Sequence, residues 1–452
     1  MNISIIGLGK LGSPMQAVMA HKGHKVVGVD LNPATVNAIN AGKAPVKEPR
    51  LQEMMDGSRE RISATHSYEE AILGTDITMI MVPTPSGSDG RFSMKYVMEA
   101  TEKIGAVLKK KAKWHLVVLS STVMPGSTGG TLLPALEDIT GKTCGPDFGL
   151  CYNPEFIALG NVVNDMLKPD MILIGESDPR SGAILEEFYQ GVCESNPRIR
   201  RMNFVNAELT KLSVNTFVTT RISYANMLAQ VCETLPGADV DVVTAAIGCD
   251  TRIGSKYLKG ALGYGGPCFP RDNVAFSALA RANGAPALLA EATDQLNRQQ
   301  VPRLGAMILA KLPAGGTAGV LGLSYKPDTG VIEESQGVAL AKYLLQSGAK
   351  LVVYDPEAME HAREQLQGQV TFAASPSECA RQADVLAITT PWPEFKKLTP
   401  QDFKRSAGKP VVLDCWRVLA REKFESVVDY LTLGYGAPQA ARVPQAMAAE
   451  GD

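Results

Sequence analysis

Short apolar runs alternate with longer amphipathic stretches through the amino-terminal part of the chain. The apolar runs read NISII, KVVGV, ITMIMV, LVVLS, FGLCY and MILIG, and helix-like segments separate most of them. This alternation is typical of a mainly parallel β-sheet that is covered by helices. The pattern therefore predicts an α/β domain over residues 1–203.

The pattern becomes helical in the middle of the chain. Residues 204–300 contain the long run NAELTKLSVNTFVTTRISYANMLAQVCETL, a break at Pro236-Gly237 and a later run that begins AFSALARANG. Apolar positions at helical spacing over such lengths predict long helices. We expect this central segment to be helical throughout most of its length.

A second α/β pattern occupies residues 301–436. The run TAGVLGLSYKP predicts a strand, and AKLVVYDP resembles KVVGVDLNP near the amino terminus. In the first half, the motif Gly7-Leu8-Gly9 is followed by a predicted helix and a strand that ends near Asp30. In the second half, Gly322-Leu323-Ser324 is followed in a similar way by Asp355. The two halves are therefore expected to share a fold, although only the first has all three glycines of a G-x-G-x-x-G motif.

Composition agrees with a globular protein of several domains. The 452 residues exceed what one hydrophobic core usually organises. The chain is 45% apolar and 20% charged, which is close to globular averages. Residues 437–452 are rich in Gly, Ala and Pro without strong periodicity, so we predict a mobile tail there.

Charge and cysteine spacing exclude several functional classes. The 45 Lys and Arg against 47 Asp and Glu leave a formal charge of -2, so no global field favours nucleic acid or an anionic membrane. No apolar run reaches the roughly 18 residues of a membrane span. The eight cysteines show no Cys-x-x-Cys spacing, so neither a metal site nor a disulfide framework is predicted. We expect a protein of the reducing cytoplasm.

A glycine-rich loop, Gly7-Leu8-Gly9-Lys10-Leu11-Gly12, lies between the first predicted strand and the first predicted helix. In such a loop the first glycine permits a tight turn, the second lets the backbone approach a pyrophosphate, and the third lets helix and strand pack closely. Asp30 ends the next strand, where its carboxylate would bind ribose hydroxyls and repel a 2'-phosphate. The loop predicts NAD as the cofactor in preference to NADP.

Three later strands end in polar side chains. These ends are Pro83-Thr84-Pro85, Ser120-Ser121-Thr122 and Asn153-Pro154-Glu155. Ligands of open α/β sheets lie beyond the carboxyl ends of the strands, so these side chains are expected near a nicotinamide. A single hydroxyl could equally cap the following helix, but three such ends together favour a site.

A glycine-dense turn carries the candidate nucleophile. It reads Gly263-Tyr264-Gly265-Gly266-Pro267-Cys268-Phe269-Pro270-Arg271-Asp272. Glycines allow a ligand to approach the backbone, and the neighbouring cation favours a thiolate, although a loop cysteine can equally be a small buried hydrophobe. Lys211 and Asn215 are four residues apart, so they share one face of a predicted helix.

Taken together, these motifs resemble the UDP-glucose/GDP-mannose dehydrogenase family. The matching segments, spread over about residues 2–417, are GLGKLG with Asp30, STVMPGST, NPEF, AELTKLSVNTF, DTRIG with KYL, GYGGPCFPRD, Tyr-Lys-Pro-Asp-Thr and TPWPEF. The expected fold is two Rossmann-like, doubly wound domains joined by a central long-helix segment. The resemblance implies a nucleotide-sugar 6-dehydrogenase that oxidises a primary alcohol to a carboxylate in two NAD-dependent steps.

The resemblance also implies roles for individual residues. Cys268 would form a thiohemiacetal and then a thioester, and Glu155 would be the general base of thioester hydrolysis. Lys211, Asn215 and Asp272 would stabilise the oxyanion at C6. Thr122 would contact water and the cofactor.

The implied binding residues form two sets. Those for the cofactor are Gly7, Gly9, Lys10, Leu11, Gly12, Asp30, Pro83, Thr84, Thr122 and Arg271. Those for the sugar nucleotide are Phe156, Lys211, Asn215, Arg252, Tyr257, Gly265, Lys326 and Arg417. Arg252 is expected to act from the second subunit, which implies a homodimer or higher homo-oligomer formed through the central helices, with residues 204–300 as the dimerisation segment.

The sequence departs from the family pattern at several positions. Leu159 stands where relatives have a second acid, and Pro267 and Arg271 replace the usual serine and lysine. Glu333 stands where an arginine is usual, and Arg417 matches its counterpart only with a shift of one residue. These changes leave the identity of the nucleotide and the sugar open.

Two alternative functions remain at this point. A two-electron dehydrogenase of the 3-hydroxyacid type would share a Rossmann domain and a helical lysine, but it would have no use for Cys268 or for a second α/β domain. A non-catalytic protein that binds NAD or a sugar nucleotide would explain Leu159 and Glu333, but not the intact set of candidate catalytic residues.

Overall fold

The computed structural model describes residues 1–368, 370–406 and 408–437. Apart from Ala437, the predicted tail at residues 437–452 lies outside the described residues. The strands are β1 Asn2–Ile6, β2 Lys25–Val29, β3 Ile62–Thr65, β4 Ile77–Ile80, β5 Leu116–Leu119, β6 Gly149–Tyr152, β7 Met171–Glu176, β8 Arg198–Met202, β9 Thr317–Leu321, β10 Lys350–Tyr354, β11 Val370–Phe372, β12 Val385–Ile388, β13 Val411–Asp414 and β14 Asp429–Thr432.

Helices connect most of these strands. They are α1 Gly12–His21, α2 Pro33–Asn40, α3 Leu51–Asp56, α4 Tyr68–Leu73, α5 Lys95–Lys110, α6 Leu133–Thr140, α7 Val162–Leu167, α8 Pro179–Val192, α9 Phe204–Thr234, α10 Val240–Gly248, α11 Phe269–Ala282, α12 Leu288–Leu309, α13 Gln336–Gln346, α14 Met359–Gln365, α15 Pro376–Gln382 and α16 Arg421–Phe424. Within the described ranges, no helix is both long enough and apolar enough to cross a lipid bilayer.

The amino-terminal sheet has the strand order β3-β2-β1-β4-β5-β6-β7-β8. Its pairs are parallel except for β6 and β7, which are antiparallel. The six predicted apolar strands are confirmed as β1, β2, β4, β5, β6 and β7. The prediction missed β3 and β8, which are the two edges of the sheet and carry exposed residues in their sequences ISAT and RIRRM.

Both faces of this sheet are covered by helices. Ile5 packs in a core with residues of α1, α3, α7 and α8, whereas its neighbour Ile6 packs on the other face with residues of α4, α5 and α6. Successive side chains of a strand point to opposite faces, so a strand buried on both sides needs a continuous apolar run. This is why the central strands were visible in the sequence.

The carboxyl-terminal sheet has the order β11-β10-β9-β12-β13-β14, and its pairs are all parallel. The predicted strands in TAGVLGLSYKP and AKLVVYDP are confirmed as β9 and β10. The fold class of two Rossmann-like, doubly wound domains with a long central helix is confirmed, and α9 is that helix, with 31 residues.

The chain divides into two compact units. One comprises Met1–Asn215 with Val274–Ala287, and the other comprises Thr216–Asn273 with the chain from Leu288 onward. Both units therefore draw on the central segment at residues 204–300. The predicted domain boundaries at 203, 300 and 436 stay predictions.

The turn after the first strand recurs in the second half. Gly7 and Gly322 have φ values of 97° and 106°. A Cβ on Gly12 would lie 1.9 Å from the carbonyl oxygen of Gly7, and a Cβ on Gly337 would lie 2.0 Å from that of Gly322. The third glycine of the motif is thus present in the second half at Gly337, displaced along the chain by an insert that includes Lys326.

Candidate active site

The loop between β1 and α1 is open on the side where a ligand would approach. A Cβ on Gly9 would meet no atom within 4 Å, and Gly9 and Lys10 are exposed. Backbone N–H groups at the start of a helix attract phosphate groups, and Gly9 leaves room for one to come close. The residues present therefore fit the pyrophosphate of a dinucleotide.

Asp30 retains capacity for a ligand. Its Oδ2 accepts a hydrogen bond from the Leu8 N–H at 2.7 Å, its Oδ1 accepts one from the Asn32 N–H at 2.8 Å, and the residue is only half-buried. A carboxylate has about four acceptor positions, so two remain for ribose hydroxyls.

The corresponding acid of the second half, Asp355, has no such capacity. It is 1% exposed, and both of its oxygens are occupied by the surrounding chain. Its donors are the N–H groups of Leu323, Ser324, Glu357 and Ala358, the Ser324 hydroxyl and the Trp392 indole. The structure therefore supports a dinucleotide site in the amino-terminal half and argues against one in the second.

Hydrogen bonds connect the polar ends of β4 and β5. The buried Thr84 hydroxyl donates to the Thr122 carbonyl at 2.7 Å, and the Ser121 hydroxyl donates to the Val82 carbonyl at 2.6 Å. Pro83 is exposed and Thr122 is partly buried. The structure thus brings Thr84 and Thr122 together, while their contacts with a cofactor stay predictions.

Glu208 is a residue of this region that sequence reasoning missed. It is fully buried at the start of α9, and its carboxylate accepts hydrogen bonds from the N–H groups of Gly126 at 2.6 Å and Thr128 at 2.7 Å. Burial raises its pKa. These bonds hold the loop that carries Thr122. Glu208 shares a helix face with Lys211 and Asn215, so its place in the sequence did not distinguish it from them.

Glu155 follows β6 and lies beside a cavity of about 20 Å³. The lining is largely apolar, from Met15, Val18, Met19, Met166, Pro169, Ile172 and Val192, with Asp165 and Tyr189 as further polar residues. Burial raises the pKa of Glu155 to about 7. A carboxyl group of that pKa can both take up and release a proton near neutral pH, as a general base must.

The Lys211 side chain contacts the backbone of Glu155. Its Nζ donates a hydrogen bond to the Glu155 carbonyl oxygen at 2.7 Å and lies 4.7 Å from the centre of the Phe156 ring. Lys211 and Asn215 are each 7% exposed. The first unit therefore brings Glu155, Phe156 and Lys211 together, and Asn215 follows one helical turn later.

Cys268 immediately precedes α11. The residue is exposed, and its carbonyl accepts a hydrogen bond from the Asp272 N–H at 2.8 Å in the first turn of that helix. The Asp272 carboxylate is 1% exposed and lies 3.4 Å from the Nε of Arg271. The second unit thus contains the exposed thiol, the cation and the buried acid within one helical turn.

The insert of the second half supports the glycine turn before Cys268. A Cβ on Gly265 would lie 2.3 Å from the Glu334 carbonyl oxygen, and the Gly266 N–H donates to the Glu333 carbonyl at 3.0 Å. The Nζ of Lys326 lies 6.0 Å from the ring centre of Tyr325. The structure therefore places the turn of Gly265 against the segment that carries Lys326.

The other candidate substrate residues have contacts of their own. Arg252 is exposed and pairs with Asp250 at 2.6 Å. Tyr257 is also exposed, at a positive φ of 63°. Arg417 forms ion pairs with Asp239 at 2.7 Å and Asp241 at 3.0 Å. Their roles in substrate binding stay predictions.

The predicted catalytic residues are divided between the two units. Thr122, Glu155, Lys211 and Asn215 belong to the first, and Cys268 and Asp272 belong to the second. Among the residues that the structure describes, no group of His, Cys, Asp and Glu has the arrangement of a metal site.

Family sequence models match three successive parts of the chain. Residues 1–193 match the NAD binding domain of the UDP-glucose/GDP-mannose dehydrogenase family, residues 205–299 its central domain, and residues 319–421 its UDP binding domain. The chain belongs to this family. The resemblance found in the sequence is thereby confirmed, and so is NAD as the cofactor.

Individual relatives of the family cover nearly the whole chain. UDP-glucose 6-dehydrogenase AglM of Haloferax volcanii is 36% identical over 95% of this chain and 100% of its own length. UDP-glucose 6-dehydrogenase of Rhizobium meliloti is 32% identical over 94% and 97%. The solved structure of a UDP-glucose dehydrogenase from Pyrobaculum islandicum has a TM-score of 0.87 at 35% identity, covering 96% of this chain and 98% of its own.

One departure from the family pattern has a structural explanation. Leu159, in place of the second acid, packs with Ile157 against the apolar core of the first unit. The loop around it is held by Glu48, whose carboxylate accepts hydrogen bonds from the N–H groups of Gly160 at 3.0 Å and Val162 at 2.8 Å. The structure therefore accommodates an apolar side chain at position 159, and the loop keeps its backbone hydrogen bonds to Glu48.

We expect Asp30→Ala to reduce kcat/KM for NAD by roughly ten- to hundredfold, because hydrogen bonds to a charged group contribute about 1.5–3 kcal/mol. The preference for NAD over NADP should narrow, since the charge that repels a 2'-phosphate is lost. Steady-state kinetics with both cofactors measures this. Asp138→Ala, which changes an exposed acid on α6, is the control. Equal efficiency of the unmodified protein with both cofactors would contradict the assignment of Asp30.

Proposed function

We propose that this chain oxidises the C6 primary alcohol of UDP-glucose, or of a closely related nucleotide sugar, to the uronate with two molecules of NAD. The observation that carries the proposal is an exposed cysteine at the start of a helix in a family member whose dinucleotide loop is open. The relatives named UDP-glucose 6-dehydrogenase and the match to a UDP binding domain favour a UDP-sugar.

The proposed reaction has two oxidation steps and one hydrolysis. Removal of a proton and a hydride from the alcohol gives the aldehyde, and the Cys268 sulfur then adds to the aldehyde carbon to form a thiohemiacetal. Loss of the hydroxyl proton and of a second hydride from the thiohemiacetal gives a thioester. Water attacks the thioester carbon, the carbon–sulfur bond breaks, and the carboxylate leaves while the thiol is restored. NAD supplies the hydride acceptor in both oxidations.

The chain's own residues hold charge and protons in this scheme. Lys211, with Asn215 and Asp272, stabilises the oxygen that carries negative charge at C6. Glu155 takes the proton of the attacking water, a role that fits a carboxyl group with a pKa of about 7. Thr122 contacts water and the cofactor.

The two binding sets complete the proposal. The residues that bind the cofactor are Gly7, Gly9, Lys10, Leu11, Gly12, Asp30, Pro83, Thr84, Thr122 and Arg271. Those that bind the sugar nucleotide are Phe156, Lys211, Asn215, Arg252, Tyr257, Gly265, Lys326 and Arg417. We assign residues 1–203 to NAD binding, 204–300 to dimerisation and 301–436 to sugar-nucleotide binding.

We further propose a cytoplasmic homodimer or higher homo-oligomer, in which Arg252 acts on the substrate held by the partner subunit. An apolar stripe on α9 supports association through the central helices. Phe217, Tyr224 and Val231 are seven residues apart and are 62%, 47% and 47% exposed, and Met227 lies between them at 41%. Residues at this spacing lie on one face of a helix, and large exposed apolar patches mark interaction surfaces.

Complete oxidation should yield two NADH per UDP-glucose consumed. The measurement combines absorbance of NADH with chromatography of the sugar nucleotide, over a panel of UDP- and GDP-sugars. One NADH per sugar would support the two-electron alternative instead. Binding of sugar and NAD without NADH formation would support the non-catalytic alternative.

Glu155→Gln should accumulate a covalent adduct at Cys268, because loss of the general base slows hydrolysis while the earlier sulfur attack stays possible. Mass spectrometry of the denatured protein after incubation with NAD and substrate detects the adduct. Cys268→Ser should abolish it and stall after the first oxidation, whereas Cys249→Ser, which changes the other exposed thiol, should retain it. An unmodified Glu155→Gln protein together with normal turnover by Cys268→Ser would exclude covalent catalysis.

A further inference from the structure

The hydroxyl of Tyr189 lies between Glu155 and a second polar side chain. Tyr189 belongs to α8 and is 5% exposed. Its hydroxyl oxygen is 2.5 Å from the Oδ1 of Asn153 and 3.3 Å from the Oε1 of Glu155. Asn153 is the first residue after β6 and lies two residues before Glu155, so all three side chains meet at the carboxyl end of this strand.

The amide of Asn153 determines the direction of these hydrogen bonds. Its Nδ2 donates to the Leu173 carbonyl oxygen at 2.9 Å, so its Oδ1 is the atom that faces Tyr189. An amide oxygen can only accept, and the tyrosine hydroxyl has one proton to donate. When that proton is directed at Asn153, the Tyr189 oxygen can only accept from Glu155.

We propose that Tyr189 is a positioning residue that accepts a hydrogen bond from Glu155 after Glu155 has taken the proton of the hydrolytic water. This inference rests on the proposed function, in which Glu155 is the base. The water proton moves to a Glu155 oxygen, the resulting O–H donates to the Tyr189 oxygen, and the Tyr189 O–H stays on Asn153. No proton passes along the chain, and Glu155 later returns its proton to solvent.

Few polar side chains surround the Glu155 carboxyl group on the side of the adjoining cavity. The polar residues that line the adjoining cavity are Glu155, Asp165 and Tyr189. The Asp165 carboxylate accepts hydrogen bonds from the Ala158 N–H and from the Asn161 amide. Tyr189 is therefore the residue of this cavity lining that holds a hydroxyl against the Glu155 carboxyl group.

Two further titratable groups lie near Glu155 on neighbouring elements. Lys211 on α9 donates to its backbone carbonyl and favours the ionised carboxylate through its charge. Cys193, just after α8, is partly buried, and burial raises the pKa of its thiol to about 11, so it stays neutral near pH 7. Neither residue offers the protonated carboxyl group an acceptor in the contacts described, whereas the Tyr189 oxygen does.

The test is the pH dependence of thioester hydrolysis in Tyr189→Phe. The Cys268 adduct is formed with NAD and UDP-glucose at low pH and transferred to buffers between pH 5.5 and 9, and its decay is followed by rapid quenching and mass spectrometry. Loss of the Tyr189 oxygen as an acceptor disfavours the protonated form of the Glu155 carboxyl group. The midpoint of the pH profile of the hydrolysis rate should therefore move to lower pH by roughly half a unit to one unit. A shift to higher pH, or no shift, would overturn the proposal.

Two variants accompany this measurement. Asn153→Val removes the acceptor of the tyrosine proton, so Tyr189 would donate to the Glu155 carboxylate and the midpoint should again fall. An unchanged midpoint in Asn153→Val would contradict the proposed direction. Tyr430→Phe is the matched control, because it removes a hydroxyl that bonds to the buried Asp414 elsewhere in the chain, and its midpoint should not move.

A double variant separates this inference from the role of Glu155. If Tyr189 acts through Glu155, adding Tyr189→Phe to Glu155→Gln should change the hydrolysis rate less than twofold. A change in the hydrolysis rate as large as that caused by Tyr189→Phe alone would show an independent role and overturn the inference. Normal hydrolysis in Glu155→Gln would instead remove Glu155 as the base, while two NADH per sugar would still support the overall reaction.

Discussion

The hydrogen bond between an acid at the end of the second strand and the backbone after the first strand organises both halves of this protein. Asp30 accepts the N–H of Leu8, and Asp355 accepts the N–H of Leu323. Each bond ties the glycine turn to the neighbouring strand, so that the following helix can pack against the turn. The halves differ in what else the acid binds: Asp30 retains acceptor positions for a ligand, whereas both oxygens of Asp355 are occupied by the surrounding chain.

Buried or partly buried carboxylates recur as anchors of the loops around the first sheet. Glu208 binds two N–H groups that follow β5. Glu48 binds the N–H of Gly160 in the loop after β6 and the N–H of Val162 at the start of α7. Asp165 binds a further N–H group of the loop after β6. Because a backbone N–H that is buried without a partner costs free energy, each anchor stabilises one loop geometry. Thr122 and Glu155 therefore lie on loops whose backbone is fixed by these carboxylates.

The sequence was sufficient for the central strands, the long helix and the cofactor loop. Those features depend on local patterns: continuous apolar runs for strands buried on both faces, helical spacing over α9, and glycines at set distances. The edge strands β3 and β8 were missed because one side of each is exposed, which weakens the apolar pattern. Gly337 was missed because the insert moves it away from Gly322, although the two meet in space.

The anchoring and positioning residues could not be found in this way. Glu208 and Tyr189 form hydrogen bonds with segments that are distant in sequence, and a single acid or tyrosine carries no local pattern. Asn153 was predicted as part of a polar strand end, but its contact with Tyr189 was not. The sequence indicated which residues have reactive groups, but the structure was needed to show what holds them. Leu159 is a related case, because its packing against the core became visible only in the folded chain.

The most direct test of this account is the number of NAD molecules bound per chain, measured by isothermal titration calorimetry. We expect one, at the loop of the first half, where a Cβ on Gly9 would meet no atom within 4 Å. Gly9→Val should fill that space and abolish binding without disturbing the fold, whereas Ser324→Ala, at the corresponding position of the second half, should leave one site. Two sites per chain, or full binding by Gly9→Val, would contradict the account.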